Sequence, residues 1–329
     1  MEPNTDPSRN LALELARVTE AAALAAGRFM GRGDKEGADQ AAVNAMRIVL
    51  QTVDMNGVII IGEGEKDNAP MLYNGENVGN GSGPDVDVAV DPIDGTRPLA
   101  FGRSNSLATV AISPRGTMFD PGPFVYMNKL AVGPEARGKI NIEKSITENL
   151  KSIAKAKRKD VEDLTTIILD RDRHKEMIAE IRMAGARIRQ IPDGDVAAAL
   201  MTAWPNSGVD VLIGIGGTPE GVLAACALRA MGGEIQGKLY ARDDAELHRG
   251  HEAGYDFDKI LTMDDLVSSE DVFFAATGIT DGELLKGVRY FGNGASTDSL
   301  VVRGLTGTVR QISATHQVDK LRHLSAIKY

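Results

Sequence analysis

The fold is decided by the stretch Val86-Asp87-Val88-Ala89-Val90-Asp91-Pro92-Ile93-Asp94-Gly95-Thr96, in which a buried strand runs into a turn rich in acids. Residues 86–90 alternate as a strand does, and we expect the strand to stop at Asp91-Pro92 because proline cannot continue a hydrogen-bonded ladder. The turn then brings Asp94 back beside Asp91. Two crowded carboxylates repel each other unless a cation lies between them, and their hard oxygens suit Mg²⁺ or Mn²⁺. The alternative is a plain turn that uses aspartates as turn formers.

The spacing of apolar residues indicates helices and strands along the rest of the chain. In the first half it predicts helices over 8–26, capped by Ser8, and over 38–53, and strands over 58–61, 107–112 and 124–132. In the second half it predicts strands over 166–169, 186–191 and 209–213, which alternate with helices over 173–183, 196–203 and 219–231. This alternation favours a parallel or mostly parallel sheet. We therefore divide the chain into an N-terminal α+β subdomain, residues 1–160, and a C-terminal α/β subdomain, residues 161–329.

The composition argues against several classes of protein. The net charge of −9 over 329 residues would repel nucleic-acid phosphates and anionic lipids, so neither is an expected partner. The single cysteine, Cys226, lies in an apolar helical run, which indicates core packing and a reducing, cytoplasmic setting. The polar start of the chain, Met1 to Asn10, and the short aliphatic run Val58 to Ile61 predict neither an export signal nor a membrane span.

Further acids stand at predicted strand ends and helix starts, with glycines beside them. Glu63 lies in Gly62-Glu63-Gly64-Glu65 after a strand, Asp39 lies at the start of the second helix, and Glu220 lies in the first turn of a helix opened by Pro219. Taken singly, the last two are ordinary helix-dipole partners. Together with Asp91 and Asp94, they match the way that multi-metal sites for phosphoryl transfer are assembled.

These motifs resemble a known family. The segment Asp91 to Thr96 matches the metal-binding signature of the lithium-sensitive phosphatase superfamily, which includes inositol monophosphatases and fructose-1,6-bisphosphatases. The match to class II fructose-1,6-bisphosphatases covers nearly the whole chain, and its other motifs are Asp34-Lys35 with Asp39, Ala41 to Arg47, Ile61 to Glu65, Ala69 to Tyr73, Pro192 to Ala197, Gly214 to Gly221 and Ala276 to Gly282.

The resemblance implies a fold and a set of site residues. The fold would be an αβαβα layered sandwich, assembled as a homo-oligomer, either a dimer or a tetramer. The metal ligands would be Asp39, Glu63, Asp91, Asp94 and Glu220, and the catalytic group would be Thr96, which orients the water, with Asp39 and Glu63. The substrate contacts would be Asp94, Gly95, Thr96, Tyr126, Arg171, Asp172, Arg173, Asp193, Gly194, Asp195 and Gly217. Many members carry glutamate in place of Asp94, and relatives often carry proline in place of Asp172.

The activity implied is hydrolysis of the 1-phosphate of fructose 1,6-bisphosphate, a gluconeogenic step, by a water whose pKa a metal lowers. Arg171 and Arg173 would hold the 6-phosphate, and Asp193 and Asp195 would accept sugar hydroxyls. Sedoheptulose 1,7-bisphosphate is an alternative or additional substrate. A catalytically inactive sugar-phosphate-binding protein is a more remote alternative. A dinucleotide-binding turn at Gly214-Ile215-Gly216 is disfavoured, because Pro219 replaces the third glycine of that fingerprint.

Overall fold

The computed structural model of the protein describes residues 11–63, 71–324, 326 and 327, so the predicted cap Ser8 and the acid Glu65 lie outside the described residues. The first elements are α1 (Ala12–Ala26), α2 (Lys35–Leu50), β1 (Asn56–Ile61), β2 (Asn77–Val78), β3 (Asp85–Asp94), α3 (Thr96–Ala100), β4 (Leu107–Pro114), β5 (Tyr126–Val132) and α4 (Ile146–Lys157). The middle elements are β6 (Thr165–Leu169), α5 (Lys175–Met183), β7 (Arg187–Ile191), α6 (Asp195–Ala203), β8 (Val211–Gly217), α7 (Thr218–Met231) and β9 (Glu234–Leu239). The last are α8 (Asp244–Glu252), α9 (Met263–Leu266), β10 (Phe273–Gly278), β11 (Arg289–Phe291), β12 (Gly294–Arg303), β13 (Thr308–Gln317) and α10 (Val318–Leu324).

A larger, eight-stranded sheet has the strand order β11-β12-β10-β4-β3-β1-β2, with β13 paired to β12. One face of this sheet, including Val88, Val110 and Ala275, packs against α1 and α2. The outer helix layer is therefore built from the N-terminal residues. Strand β3, which carries the acid-rich turn, lies inside the sheet between β1 and β4.

A smaller, five-stranded sheet has the order β7-β6-β8-β5-β9. Strand β6 is parallel to both β7 and β8, whereas β5 runs antiparallel to both β8 and β9. The prediction of a mostly parallel sheet therefore holds for every strand except β5, which comes from before residue 160. Because β10 to β13 return to the larger sheet, both sheets draw strands from each side of residue 160, and the proposed domain division stays a prediction.

The two sheets enclose a middle layer of helices. Helices α6 and α7 contribute Val196 to Met201 and Val222 to Leu228 to a core that also contains Ala111 of the larger sheet and Leu212 of the smaller one. The outer face of the smaller sheet packs against α4 and α5. The order of layers is therefore helix, sheet, helix, sheet, helix, which is the αβαβα sandwich that the resemblance implied.

Strand β3 does not stop at Pro92, and this part of the prediction was wrong. Its pairing with β4 continues from Asp91 opposite Thr109 to Asp94 opposite Leu107, with a register shift between them. Such a bulge leaves an extra residue unpaired, so a proline without an N–H group is accommodated there. The consequence is that both acids stay on the sheet, at its end.

The second helix starts earlier than its apolar spacing predicted. Asp34 caps it, because the carboxylate of Asp34 accepts a hydrogen bond from the backbone N–H of Gly37 at 2.8 Å. Asp39 consequently lies in the second turn of α2, where its side chain is half-buried.

Candidate active site

The bulge at the end of β3 presents two carboxylates where the larger sheet meets the middle helix layer. Asp91 is held by its own turn, since Oδ1 accepts a hydrogen bond from the N–H of Ile93 at 3.0 Å. Asp94 is buried, and its Oδ2 accepts a hydrogen bond from the N–H of Ala197, in the first turn of α6, at 3.0 Å. The second carboxylate thus joins the larger sheet to the middle helix layer.

Acids from other parts of the chain converge on these two. Burial raises the pKa of Asp91 well above its usual range, and the nearby carboxylates of Asp94, Glu220 and Glu63 raise it further. Burial likewise raises the pKa of Asp94, where the carboxylates of Asp195, Glu220 and Asp193 add to the effect and the N–H of Ala197 opposes it. We call these six residues the acid group: Glu63, Asp91, Asp94, Asp193, Asp195 and Glu220.

Glu63 and Glu220 are placed by glycines that precede them. A Cβ atom on Gly62 would lie 2.0 Å from the carbonyl oxygen of Leu72, so only glycine lets the chain turn there after β1. A Cβ atom on Gly217 would lie 1.7 Å from Oε2 of Glu220, so the glutamate folds back over the backbone just before α7. Both predicted ligands therefore reach the acid group through close backbone approaches.

Asp195 is held by a buried lysine. Lys129, in the middle of β5, donates to Oδ2 of Asp195 at 2.5 Å and to the carbonyl oxygen of Gly217 at 2.8 Å. Its side chain is only 2% exposed. Lys129 therefore fixes the start of α6 relative to the end of β8, and it supplies a positive charge at the edge of the acid group.

Basic and aromatic side chains border the acid group on the smaller sheet. Arg173 donates twice to the carbonyl oxygen of Ile215, from Nε at 3.1 Å and from Nη2 at 2.7 Å, and its guanidinium lies 5.1 Å from the ring centre of Tyr126. Tyr126 pairs with Gly217 across β5 and β8. Nη2 of Arg171 lies 3.7 Å from Oδ1 of Asp193. These side chains line one approach to the carboxylates.

Comparison with known proteins shows the family of the chain. Residues 9–316 match the family described as "Bacterial fructose-1,6-bisphosphatase, glpX-encoded". The chain is 48% identical over 325 residues, covering 95% of this chain and 96% of the relative, to "Fructose-1,6-bisphosphatase 1 class 2" of Escherichia coli strain K12. The same values hold for proteins named "Fructose-1,6-bisphosphatase class 2" of E. coli O6:H1 and of Shigella flexneri. The chain belongs to the bacterial fructose-1,6-bisphosphatase family. The wider placement with inositol monophosphatases stays a prediction.

The members of this fructose-1,6-bisphosphatase family are metal-dependent phosphatases, and the donor set of the chain fits a divalent metal. Carboxylate oxygens are the ligands that hard cations prefer, and a bound cation would remove the repulsion that raises the pKa values of Asp91 and Asp94. Within residues 11–63 and 71–327, as far as they are described, no three such side chains already enclose a point suited to an ion.

The remaining predicted residues differ in how close they lie to the acid group. Thr96 lies two residues after Asp94, and its Oγ1 donates to the carbonyl oxygen of Ile93 at 3.3 Å. Asp39 is not among the carboxylates that act most strongly on Asp91 or Asp94. The carboxylate of Asp172 is 93% exposed and pairs with Nζ of Lys175 at 2.9 Å, so it points away from the other substrate contacts. Gly95 and Gly194 occupy the left-handed turns, with φ of 93° and 88°, before α3 and α6.

One buried residue of the site, Lys129, was missed by sequence reasoning. A lone lysine inside the apolar run of β5 was the available signal for Lys129. His174 is also buried, with Nδ1 2.7 Å from the carbonyl oxygen of Leu169 and Nε2 accepting from the N–H of Ile215 at 2.8 Å. The imidazole thereby ties the segment of Arg171 and Arg173 to β8, and burial lowers its pKa.

Three other features of the structure do not involve the acid group. Cys226 is buried, and burial raises the pKa of its thiol to about 12, which fits core packing. A cavity of about 720 Å³ lies near Trp204, Arg229 and Val309, and its lining includes no member of the acid group. In the part of the chain that is described, no helix is long and apolar enough to cross a membrane.

Proposed function

We propose that the chain hydrolyses the 1-phosphate of fructose 1,6-bisphosphate to give fructose 6-phosphate and phosphate, with Mg²⁺ or Mn²⁺ as the metal. As a member of its family the chain is a phosphatase. The observation that carries the proposal is the convergence of four acids, from the ends of two strands and the start of a helix, where their mutual repulsion calls for a cation: Glu63, Asp91, Asp94 and Glu220.

Glu63, Asp91, Asp94 and Glu220 would hold the metal, with Asp39 approaching from α2. When bound, a divalent metal supplies Lewis-acid activation of a water and neutralises charge on the phosphate. The chain's own residues perform the remaining tasks. Thr96, whose hydroxyl proton is directed to the carbonyl oxygen of Ile93, keeps its lone pairs available to orient the attacking water.

The sugar would lie between the acid group and the basic border. Asp193 and Asp195 would accept hydrogen bonds from its hydroxyls, and Lys129 holds Asp195 in position for this. Glu63, whose carboxylate acts on Asp91, or Asp39, which the family resemblance places at the site, would take the proton that the attacking water loses. Of the predicted substrate contacts, Asp172 has the least support, because its carboxylate points to solvent.

Sedoheptulose 1,7-bisphosphate remains a second candidate substrate, because it offers the same two phosphates on a longer sugar. An inactive sugar-phosphate-binding protein is disfavoured, because all five predicted ligand positions carry acids. A cytoplasmic location and a homo-oligomeric state, dimer or tetramer, stay predictions, as does a role in gluconeogenesis in the cell.

The test is phosphate release from fructose 1,6-bisphosphate, sedoheptulose 1,7-bisphosphate and inositol 1-phosphate with saturating Mg²⁺ or Mn²⁺. The product of the first reaction would be identified by ³¹P nuclear magnetic resonance. Formation of fructose 6-phosphate, with no turnover of inositol 1-phosphate, is the expected result. Release of the 6-phosphate, or no turnover of either bisphosphate by folded protein, would overturn the proposal.

A further inference from the structure

The last residues of β8 lack a neighbouring strand on one side. Strand β5 pairs with β8 along its whole length, as far as Gly217, whereas β6 pairs only with Val211 and Leu212 among the described residues. The edge of β8 on the β6 side therefore has no strand beside it from residue 213 onward, just before the start of α7. Buried backbone groups need hydrogen-bond partners, so other groups must take the place of a strand there.

Two side chains from the turn before α5 take that place, and both of them bind the backbone of Ile215. The N–H of Ile215 donates to Nε2 of His174 at 2.8 Å. The carbonyl oxygen of Ile215 accepts from Nε and Nη2 of Arg173 at 3.1 Å and 2.7 Å. A single residue of β8 is thus held through its N–H by a histidine and through its carbonyl by a predicted substrate contact.

The two partners of His174 fix which ring nitrogen carries the proton. Nδ1 lies 2.7 Å from the carbonyl oxygen of Leu169, which can only accept, so Nδ1 carries a hydrogen. Nε2 accepts from the N–H of Ile215, so it keeps its lone pair. Burial lowers the pKa of His174, and the positive charges of Arg173 and Arg171 in the same turn lower it further, which favours this neutral form. From β6 and β8 the ring meets backbone groups.

Gly214 lets β8 approach the imidazole closely. Its φ of 141° is one that other residues rarely adopt, and a Cβ atom there would lie 3.2 Å from both Cε1 and Nε2 of His174. A side chain at this position would push the ring away from Ile215. The contact between histidine and strand is therefore built into the backbone of β8.

Arg173 connects this contact to the proposed substrate site. Its guanidinium lies 5.1 Å from the ring centre of Tyr126, another predicted substrate contact. Two of its N–H groups end on the carbonyl oxygen of Ile215, so a shift of that residue would move the guanidinium with it. Because His174 is fully buried, it acts through Ile215 and Arg173 rather than by touching the substrate.

We propose that His174 is a positioning residue of the active site: its neutral imidazole, with the proton on Nδ1, completes the open edge of β8 and so holds Arg173 in place for the substrate. This inference rests on the proposed function. It differs from a packing role in one respect that can be measured. The acceptor at Nε2 matters for substrate binding, whereas the volume of the ring and the donor at Nδ1 matter for stability.

Asparagine and glutamine each keep one of the two hydrogen bonds of His174. The short amide of His174→Asn can still donate to Leu169 but leaves the N–H of Ile215 unpaired, whereas the longer amide of His174→Gln can place its oxygen near the position of Nε2. We expect His174→Asn to raise KM for fructose 1,6-bisphosphate about tenfold with little change in kcat, as expected for weakening one hydrogen bond from a charged group. The KM of His174→Gln should stay within about threefold of the wild type, although both variants should melt at a lower temperature.

Two further measurements separate positioning from packing. Arg173→Gln alone should raise KM, and adding His174→Asn to it should raise KM no further, because the histidine acts through the arginine. In ¹⁵N nuclear magnetic resonance spectra of the wild type at pH 7, the histidine signals that disappear in His174→Gln should show a protonated Nδ1 and a bare Nε2. The matched control is His316→Asn, a change of the half-buried histidine on β13, which should leave KM unchanged.

The inference would be overturned if His174→Asn left KM unchanged, if the asparagine and glutamine variants raised KM equally, or if the effects of His174→Asn and Arg173→Gln added in full. A ring protonated on Nε2 would also overturn it, and that result does not depend on activity. If the wild-type enzyme releases no phosphate from the bisphosphate, the proposed function fails and the inference fails with it. The outcomes in KM arise only in an active wild type, so the two failures are distinguished.

Discussion

The carboxylate of Asp94 accepts a hydrogen bond from the backbone N–H of Ala197 at 3.0 Å, so an acid at the end of the larger sheet caps a helix of the middle layer. Asp94 consequently has two opposed effects on the fold. The cap stabilises α6, whereas the buried charge beside Asp195 and Glu220 raises the pKa of Asp94 and destabilises the metal-free protein.

The two effects can be separated with Asp94→Asn and Asp94→Ala in metal-free protein. Asparagine retains an oxygen for the N–H of Ala197 and removes the charge, so its melting temperature should exceed that of the wild type by a few degrees at pH 7. Alanine loses the cap as well, at a cost of about 1 kcal/mol, and should melt below the asparagine variant. Differential scanning calorimetry in EDTA makes the measurement. Equal melting temperatures for the two variants would show that the cap contributes nothing.

The buried pair of Lys129 and Asp195 gives a second prediction. Lys129→Met leaves the carboxylate of Asp195 buried without its cation and should destabilise the protein by about 3–5 kcal/mol, the usual cost of breaking such a pair. The double variant Lys129→Met, Asp195→Asn removes both charges and should regain most of the stability but not the activity. Urea unfolding and phosphate release report the two quantities. Recovery of activity in the double variant would exclude a role for Asp195 in substrate binding.

The raised pKa values of Asp91 and Asp94 predict how metal binding depends on pH. Since both carboxyls hold protons more tightly in the metal-free fold than in the unfolded chain, their contribution to stability is present at low pH and is lost as pH rises through the raised pKa values. A metal competes with those protons. The increase in melting temperature on adding excess Mn²⁺ should therefore grow from pH 5 to pH 8. An increase in melting temperature that stays constant over this range would contradict the assignment of these two carboxylates as metal ligands. In the control, the double variant Asp91→Asn, Asp94→Asn, the increase should not grow with pH.

Gly217 should be required for the position of Glu220 rather than for folding. Its backbone φ of −67° suits any residue, but a Cβ atom would lie 1.7 Å from Oε2 of Glu220 and would displace that flexible carboxylate. We expect Gly217→Ala to melt within a few degrees of the wild type and to bind Mn²⁺ about tenfold more weakly by isothermal titration. Adding Glu220→Gln to Gly217→Ala should weaken binding no further than Glu220→Gln alone. Additive losses would mean that the two residues act separately.

Local elements of the fold could be predicted because their signals are local. The apolar spacing located α1, α5, α6 and α7 to within a few residues, since one buried helix face repeats along the sequence. Strand pairing is not local. The antiparallel course of β5 and the return of β10 to β13 to the larger sheet depend on partners far along the chain. The bulge that carries β3 past Pro92 likewise depends on its neighbour β4.

The site residues likewise divide into those with a local signal in the sequence and those that depend on distant partners. The acid-rich turn at Asp91 and Asp94 could be recognised from the sequence because its residues are adjacent, and the family resemblance supplied Glu63 and Glu220. Lys129 could not be assigned, because its partner Asp195 lies 66 positions away and only the packing of β5 against α6 joins them. The orientation of Asp172 toward solvent was also beyond the sequence, because it depends on the short turn that precedes α5.

The most direct test of the central claim is phosphate release from fructose 1,6-bisphosphate by protein stripped of metal, measured before and after adding Mn²⁺, in the wild type and in Glu220→Gln. We predict no release without metal, restored release in the wild type, and little release in the variant at a Mn²⁺ concentration that saturates the wild type. Equal release with and without metal, or full activity of Glu220→Gln, would contradict the account of the acid group as the metal site.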